Sequence, residues 1–82
     1  MNDKEESMRI GRRIAEIRET VEWVDEKGIR RTKMTQTDLS KKTGIYRTHI
    51  VRIEQGRFDS RLSAIAHIAD ALGYKLDLVP KE

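Results

Sequence analysis

The sequence predicts a mainly α-helical single domain of about four helices, with a β-hairpin between the first two helices and a short carboxyl-terminal strand. Apolar residues recur at spacings of three and four residues in stretches of helical length, and glycines stand where these stretches end. Two further segments have the composition or the alternation of strands. With 82 residues and no internal repeat, the chain suits one domain, residues 1–82, and is too short for two.

The first helix is predicted to run from about Ser7 to Glu19 or slightly beyond. Residues 1–7 are polar, and we expect them to be frayed. The apolar positions of the helix lie four, three and four residues apart, which places them on one face. They are Ile10, Ile14, Ile17 and Val21.

Residues 21–32 break the helical spacing and predict a β-hairpin. The stretch VEWV is rich in β-branched and aromatic residues, and IRRT follows it as a second strand. Between them, Asp25 first and Gly28 last suit a type I turn followed by a left-handed glycine. The alternative is that the first helix continues to Glu26 and is capped by Gly28.

The second and third helices are separated by one tight turn. Thr35 can accept hydrogen bonds from the first turn of the second helix, and Asp38 completes a capping box. That helix ends at Gly44, which lacks a Cβ and therefore permits a left-handed C-cap. The third helix is predicted from about Tyr46 to residue 55, where Gly56 stops it.

The fourth helix and a terminal strand follow a short loop. Ser60 or Asp59 is the predicted N-cap, and Gly73 ends the helix. Its predicted buried stripe consists of Leu62, Ile65, Ile68, Ala69 and Leu72. The sequence YKLDLVP then alternates strictly, which predicts a strand over residues 74–79 that Pro80 terminates.

Positive charge is concentrated in the middle of the chain. Residues 27–61 contain ten lysines and arginines against three acids, a balance of +7, so the remaining residues sum to −4 within a total of +3. A basic middle with acidic flanks indicates a surface for a polyanion. The alternative is a solvated Lys/Arg face without such a partner.

The order helix, tight glycine turn, helix holds the second helix of the pair out from the body of a domain. Ile50 and Ile53 face the core, so the opposite side of the third helix carries the residues that a partner would meet. They are Arg47, Thr48, Val51, Arg52 and Gln55. Arginines on such a face can address guanine edges in a DNA major groove, and the methyl groups of threonine and valine can contact thymine.

Residues 34–73 resemble the lambda-repressor-like, Cro/C1-type helix-turn-helix domain (XRE family), and the first helix extends the resemblance to a core of residues 8–73. The matching residues stand at the family's spacing across three helices. They are Thr35, Gln36, Leu39, Gly44, Ile45, Ile50, Ile53, Glu54, Gly56, Ala69, Ala71, Leu72 and Gly73. The resemblance implies a regulator of transcription that binds double-stranded DNA in a sequence-specific way.

The resemblance also implies roles for single residues. The base contacts that it implies are Arg47, Thr48 and Arg52, and Val51 is added to them because its methyl groups suit thymine. The predicted phosphate contacts are Gln36, Tyr46, His49, Gln55 and Arg57. Glu54 is expected to form a structural ion pair with Arg18 of the first helix. Two residues depart from the family pattern, since Tyr46 replaces a small residue at the helix start and Val51 replaces a polar one.

About ten extra residues separate the first two helices, where the family normally has a short loop. One hypothesis makes this hairpin a wing whose basic strand follows the DNA backbone. Its phosphate contacts would be Arg30, Arg31 and Lys33. The alternative is that Trp23 merely packs the hairpin against the first helix.

Members of the family bind palindromes as two-fold dimers, so a homodimer is expected here. The terminal strand can satisfy its backbone hydrogen bonds by pairing with its own copy across the two-fold axis. The predicted interface consists of Leu72, Tyr74, Leu76 and Leu78. The ending ALGYKLDLVP is similar to that of HipB-like antitoxins, whose terminal strands pair in the dimer. The alternative is a strand that folds back on the hairpin of its own subunit.

These features predict a cytoplasmic repressor that acts as a homodimer on a palindromic operator. One alternative is an antitoxin that binds a toxin protein and autoregulates its operon; a weaker one is an adaptor that uses the fold without DNA. We expect no enzymatic activity, because no nucleophile–base pair or glycine-rich phosphate loop is recognisable. We also expect no metal, cofactor or membrane segment, since His49 and His67 are the only histidines, cysteine is absent and no long apolar run occurs.

Overall fold

The computed structural model describes residues 3–57 and 61–81, and this part of the chain holds four helices and one hairpin. The helices are α1 (Asp3–Thr20), α2 (Gln36–Thr43), α3 (Arg47–Glu54) and α4 (Leu62–Ala71). The strands are β1 (Trp23–Val24) and β2 (Arg30–Arg31). They pair antiparallel, with Trp23 opposite Arg31 and Val24 opposite Arg30. The predicted fold class, mainly helical with a hairpin after the first helix, is confirmed.

Helix α1 is longer at its start than its apolar spacing predicted. It begins at Asp3, so the stretch that we expected to be frayed is helical from that residue onward. An ion pair between Glu6 and Arg9, 2.6 Å apart, bridges neighbouring turns there. The helix ends at Thr20, which excludes the alternative in which it continues to Glu26.

One aspartate closes the turn of the hairpin. Oδ1 of Asp25 accepts the backbone N–H groups of Lys27 and Ile29, each at 2.9 Å. The N–H of Gly28 donates to the carbonyl oxygen of Asp25 at 2.9 Å, and Gly28 adopts a φ of 77°. The turn that the sequence predicted, with a left-handed glycine at its end, is therefore present.

The start of α2 is fixed by a capping box and an apolar contact. The Thr35 hydroxyl accepts the N–H of Asp38 at 3.0 Å, and the Asp38 carboxylate accepts the N–H of Thr35 at 2.9 Å. The latter bond is the main reason why the pKa of Asp38 is lowered. Met34 and Leu39 flank this box and are both fully buried, which is the hydrophobic-staple arrangement.

All four helices contribute to the apolar core. Its buried members are Ile14, Ile17, Met34, Leu39, Ile50, Ile53, Ile65, Ile68 and Leu72. Leu62 was predicted to belong to it but is 75% exposed, because it is the first residue of α4. The predicted caps Ser60 and Asp59 lie outside the described residues. Arg61 precedes the helix and makes no side-chain capping bond.

The predicted carboxyl-terminal strand requires a correction. Helix α4 ends with Gly73 at a φ of 84°, and the N–H of Tyr74 returns to the carbonyl oxygen of Ala69 at 2.8 Å. Residues 74–81 then form neither helix nor strand. A strand needs a neighbour for its backbone hydrogen bonds, and no described segment supplies one, because β1 pairs only with β2. The alternative of pairing with the hairpin of the same subunit is therefore also absent.

Candidate nucleic-acid interface

The outward face of α3 carries the residues that were predicted to read bases. Arg47, Thr48 and Arg52 are exposed, whereas Ile50 and Ile53 on the opposite side are fully buried. Two further side chains lie within the same arc because successive helical residues rotate by about 100°. They are Val51, which is partly buried, and Gln55, which is exposed. The structure thus brings these five predicted residues together on one side of α3.

The turn between α2 and α3 is held by hydrogen bonds on both sides. Gly44 adopts a φ of 77°, and its N–H donates to the carbonyl oxygen of Ser40 at 2.8 Å. The hydroxyl of Ser40 donates in turn to the carbonyl oxygen of Ile45 at 2.6 Å. From α4, Nε2 of His67 lies 2.9 Å from the carbonyl oxygen of Thr43, the last residue of α2. These bonds fix the direction in which α3 leaves the turn.

A buried cluster joins α1, α2 and α3. Nε and Nη2 of Arg18 donate to the two carboxylate oxygens of Glu54 at 2.7 and 2.9 Å, so the expected ion pair is formed and is bidentate. Nη1 of Arg18 donates to the carbonyl oxygen of Met34 at 3.0 Å. Nε2 of Gln36 donates to Glu54 at 3.0 Å, a bond that the sequence did not reveal. The carboxylate of Glu54, at the end of α3, is therefore bonded to both α1 and α2.

Helix α1 approaches the end of α3 closely. A Cβ on Gly11 of α1 would collide with the carbonyl oxygen of Ile53 and lie 2.8 Å from that of Glu54. Gly56, just beyond α3, sits in the same way against Met8 and has a φ of 75°. Sequence reasoning missed Gly11, although a glycine inside a helix often marks a packing constraint.

An open depression of about 690 Å³ lies at the start of α2. Its lining comprises Arg18, Glu19, Lys33, Thr35, Gln36, Thr37 and Arg47. The capping box uses the N–H groups of Thr35 and Asp38, and a helix leaves its first N–H groups without intrahelical partners. Those of Gln36 and Thr37 have no acceptor among the described residues. With Lys33 and Arg47 at the rim, the depression suits an anion.

The three phosphate contacts predicted for the hairpin segment differ in their surroundings. Nη2 of Arg30 lies 3.4 Å from the carboxylate of Glu22, and Nε of Arg31 lies 3.0 Å from that of Asp25. Lys33 instead lines the depression beside α2. The structure therefore separates these three predicted phosphate contacts into two arginines paired within the hairpin and one lysine at the depression beside α2.

The other predicted phosphate contacts surround α3. Tyr46, the N-cap residue, is 83% exposed and makes no capping bond, which leaves its hydroxyl at the surface. His49 is partly buried. Beyond the helix, Arg57 is exposed, and its N–H donates to the carbonyl oxygen of Arg52 at 2.9 Å. Tyr46 and Arg57 thus lie beyond the two ends of α3, whereas His49 lies within the helix.

The predicted dimer residues fall into two groups. Leu72 is 3% exposed and belongs to the core, so its side chain is not available to a second copy. Tyr74, Leu76 and Leu78 are exposed, Leu78 to 96%. The Tyr74 ring lies 6.0 Å from the guanidinium carbon of Arg13 on α1.

No helix in the described ranges is both long and apolar enough to cross a membrane. Within the same ranges, no group of three or more His, Cys, Asp or Glu side chains is arranged to hold a metal ion.

Comparison with known proteins gives consistent matches. Residues 27–77 match the family model of the Cro/C1-type HTH DNA-binding domain. The chain is 36% identical over 50 residues to an uncharacterized HTH-type transcriptional regulator of Sinorhizobium fredii, a match that covers 61% of this chain and 26% of the relative. It is 41% identical over 44 residues to another such regulator of Methanocaldococcus jannaschii, covering 54% of this chain and 67% of the relative. The chain thus spans about a quarter of the first relative and two thirds of the second. No solved structure matches.

Proposed function

The chain belongs to the Cro/C1-type helix-turn-helix DNA-binding family, and on that premise we propose that it is a repressor that binds a palindromic operator as a homodimer. The observation that carries this proposal is the exposed face of α3, whose arginines project from a helix fixed at both ends. The turn after α2 fixes its start, and the Arg18–Glu54 pair fixes its end. Because its proposed ligand is operator DNA, we place the protein in the cytoplasm.

We propose that α3 reads base edges through Arg47, Thr48, Val51 and Arg52. Arg47 and Arg52 lie five residues apart, which is about 7.5 Å along a helix axis and about two base pairs along a groove. Each arginine would bind a guanine through its O6 and N7 atoms. Thr48 and Val51 lie between them and offer methyl groups to thymine. The proposed site therefore favours guanines two base pairs apart with thymine nearby.

Phosphate contacts would surround this face. The depression at the start of α2 offers backbone N–H groups and the Gln36 carboxamide, whose Nε2 keeps one proton after donating to Glu54. On the other sides of α3, the proposed phosphate contacts are Tyr46, His49, Gln55 and Arg57. Such contacts set register rather than sequence preference.

The homodimer is proposed on the exposed segment after α4. Leu76, Leu78 and Val79 are exposed apolar side chains in a segment whose backbone has no strand partner within the described chain. Pairing with its own copy would cover the apolar side chains and provide partners for the backbone N–H and C=O groups. The same apolar side chains could instead contact a toxin protein, so the antitoxin function is the second candidate.

The test is selection of bound duplexes from a random DNA pool at two salt concentrations, with sedimentation of the protein alone and with DNA. We expect an enriched inverted repeat whose half-sites lie about one helical turn apart. Replacing Arg47 or Arg52 by Ala should weaken operator binding by about 1–3 kcal/mol and relax the preference at one position. The control Lys41→Ala removes a charge outside both the α3 face and the depression.

Two results would overturn parts of the proposal. Binding without any enriched sequence, which fades as salt rises, would leave only backbone attraction and would direct the search to a protein partner. An enriched site without two-fold symmetry, bound by a protein that sediments as a monomer, would remove the homodimer.

A further inference from the structure

We propose that the hairpin between α1 and α2 is a brace that holds one phosphate-binding cation, Lys33, at the depression beside α2, and that Trp23 is the positioning residue. On this view the hairpin is not a wing whose arginines follow the DNA backbone. The inference rests on the proposed function, because it assigns a DNA phosphate as the partner of Lys33.

The hairpin itself offers little net attraction to a polyanion. Residues 21–32 contain three basic and three acidic side chains, so their formal charges cancel. Arg30 pairs with Glu22 at 3.4 Å, and Arg31 pairs with Asp25 at 3.0 Å. A phosphate that approaches either arginine meets a carboxylate beside it. A phosphate bound by either arginine would therefore lie close to a carboxylate, and the repulsion between the two anions weakens the attraction.

The indole of Trp23 holds the backbone at Lys33. Its Nε1–H donates to the carbonyl oxygen of Lys33 at 2.8 Å. The ring is partly buried against the apolar core, and Nζ of Lys42 on α2 lies 5.7 Å from its centre. Because the ring is packed on the body of the domain, its N–H gives the returning chain a fixed point of attachment.

Met34, the residue after Lys33, is held by hydrogen bonds to Arg18 of α1. Met34 is fully buried, and its N–H donates to the carbonyl oxygen of Arg18 at 2.8 Å. Its carbonyl oxygen accepts Nη1 of Arg18 at 3.0 Å. Thr35 then enters the capping box. The Lys33 carbonyl and the whole of the next residue are thus fixed, which restricts where the Lys33 side chain can reach.

That side chain is exposed at the rim of the depression. Gln36, Thr37 and Arg47 line the same depression, together with one acid, Glu19. The N–H groups of Gln36 and Thr37 have no acceptor among the described residues. A lysine there acts as a point charge beside neutral donors, a combination that suits a phosphate oxygen. The insertion therefore supplies the phosphate site with a cation through the residue that leads into α2 and not through the arginines of β2.

The experiment measures how DNA affinity falls with salt, between about 50 and 200 mM, on one duplex for all variants. Each lost phosphate contact reduces the slope of log affinity against log salt by about one. We expect Lys33→Gln to reduce the slope by that amount and the matched variant Lys33→Arg to retain it. Trp23→Phe keeps a ring but lacks the donor, and it should reduce the slope toward the Lys33→Gln value. The double variant should reduce it no further.

Each other outcome contradicts a specific step. A slope unchanged by Lys33→Gln, with wild-type protein that binds the duplex, overturns the assignment of Lys33 while leaving the proposed function intact. A slope reduced by about one in Arg30→Gln or Arg31→Gln would favour the hypothesis that the hairpin is a wing whose arginines contact the DNA backbone. A lower melting temperature of Trp23→Phe with an unchanged slope makes Trp23 a packing residue only. Wild-type protein that binds no duplex overturns the proposed function, and the phosphate role of Lys33 with it.

Discussion

Two of the arginine–carboxylate pairs among the described residues have similar distances but lie in very different places. Arg18 and Glu54 approach to 2.7 Å, with 10% and 8% of their side chains exposed. Arg31 and Asp25 approach to 3.0 Å, with 54% and 11% exposed. The first pair connects α1 to α3 and, through Gln36, to α2. The second connects two residues of a single hairpin.

The difference lies in how each carboxylate is satisfied. The pKa of Arg18 is raised mainly by its hydrogen bonds to Glu54, so the pair depends on both partners. The pKa of Asp25 is lowered first by the N–H of Ile29 and only then by Arg31, because its oxygens close the turn. Removal of Arg31 leaves Asp25 well bonded, whereas removal of Glu54 leaves a buried guanidinium. We therefore expect the two pairs to contribute differently to the free energy of unfolding, although their distances are similar.

The largest effect is expected from Glu54→Ala. The substitution removes the carboxylate that pairs with the buried guanidinium of Arg18 and that accepts the bond from Gln36. Breaking a buried pair in this way lowers the free energy of unfolding by about 3–5 kcal/mol. Denaturant unfolding at neutral pH measures this. The matched control replaces both partners, Arg18→Met with Glu54→Leu, and should be less destabilised than the single variant because no unpaired charge remains. Equal loss in both proteins would mean that the pair's charge is not the cause.

A smaller loss of stability in the same junction is expected from Gly11→Ala. The added methyl group meets the carbonyl oxygens of Ile53 and Glu54, which belong to backbone and cannot rotate away. The gain in helix propensity offsets part of the clash, so we expect a net loss of about 1–3 kcal/mol. Operator binding should weaken too, since α1 supports the end of α3. A variant at least as stable as the wild type would show that the two helices are not in this contact.

Local features of the fold were predictable because neighbouring residues determine them. Thr35 and Asp38 form the predicted capping box, and Gly44 takes the predicted left-handed C-cap. The turn from Asp25 to Gly28 likewise needs only its own side chain and backbone. In each case the partners lie within about five residues, so the sequence pattern contains the whole interaction.

Features that depend on distant parts of the chain were not predictable in this way. The bond between Gln36 and Glu54, the burial of Met34 and the constraint on Gly11 all require helices to be placed in space first. The alternation over residues 74–79 shows the converse limit. A period of two indicates that a segment can be a strand, but the hydrogen bonds of a strand come from a neighbouring strand, and residues 3–57 and 61–81 of one chain do not provide it.

The start of α2 gives an effect of intermediate size that depends on pH. The pKa of Asp38 is lowered in the folded protein, so its contribution to stability is complete above its unfolded pKa of about 3.9 and is lost as pH falls through the folded value. At pH 7, Asp38→Asn should lower the free energy of unfolding by about 0.3–1 kcal/mol. On acidification below about pH 4, the free energy of unfolding of this variant should fall by less than that of the wild type. Asp70→Asn removes an equal charge from the exposed side of α4 and serves as control. Parallel acid profiles for wild type and Asp38→Asn would contradict the role of the capping box.

The smallest effect is expected in the hairpin, from Arg31→Gln. Exposed ion pairs contribute little because water screens the charges and the long side chain loses freedom when it is held. Asp25 keeps its bonds to the N–H groups of Lys27 and Ile29, so the turn should persist, and the free energy of unfolding should change by less than about 0.5 kcal/mol. Asp25→Ala is the paired variant, and it should lose more stability because it removes Oδ1, which accepts the N–H groups of both Lys27 and Ile29. If Arg31→Gln instead destabilised the protein as much as Asp25→Ala, the ion pair and not the turn would hold the hairpin together. The brace proposed for Lys33 would then depend on Arg31 as well as on Trp23.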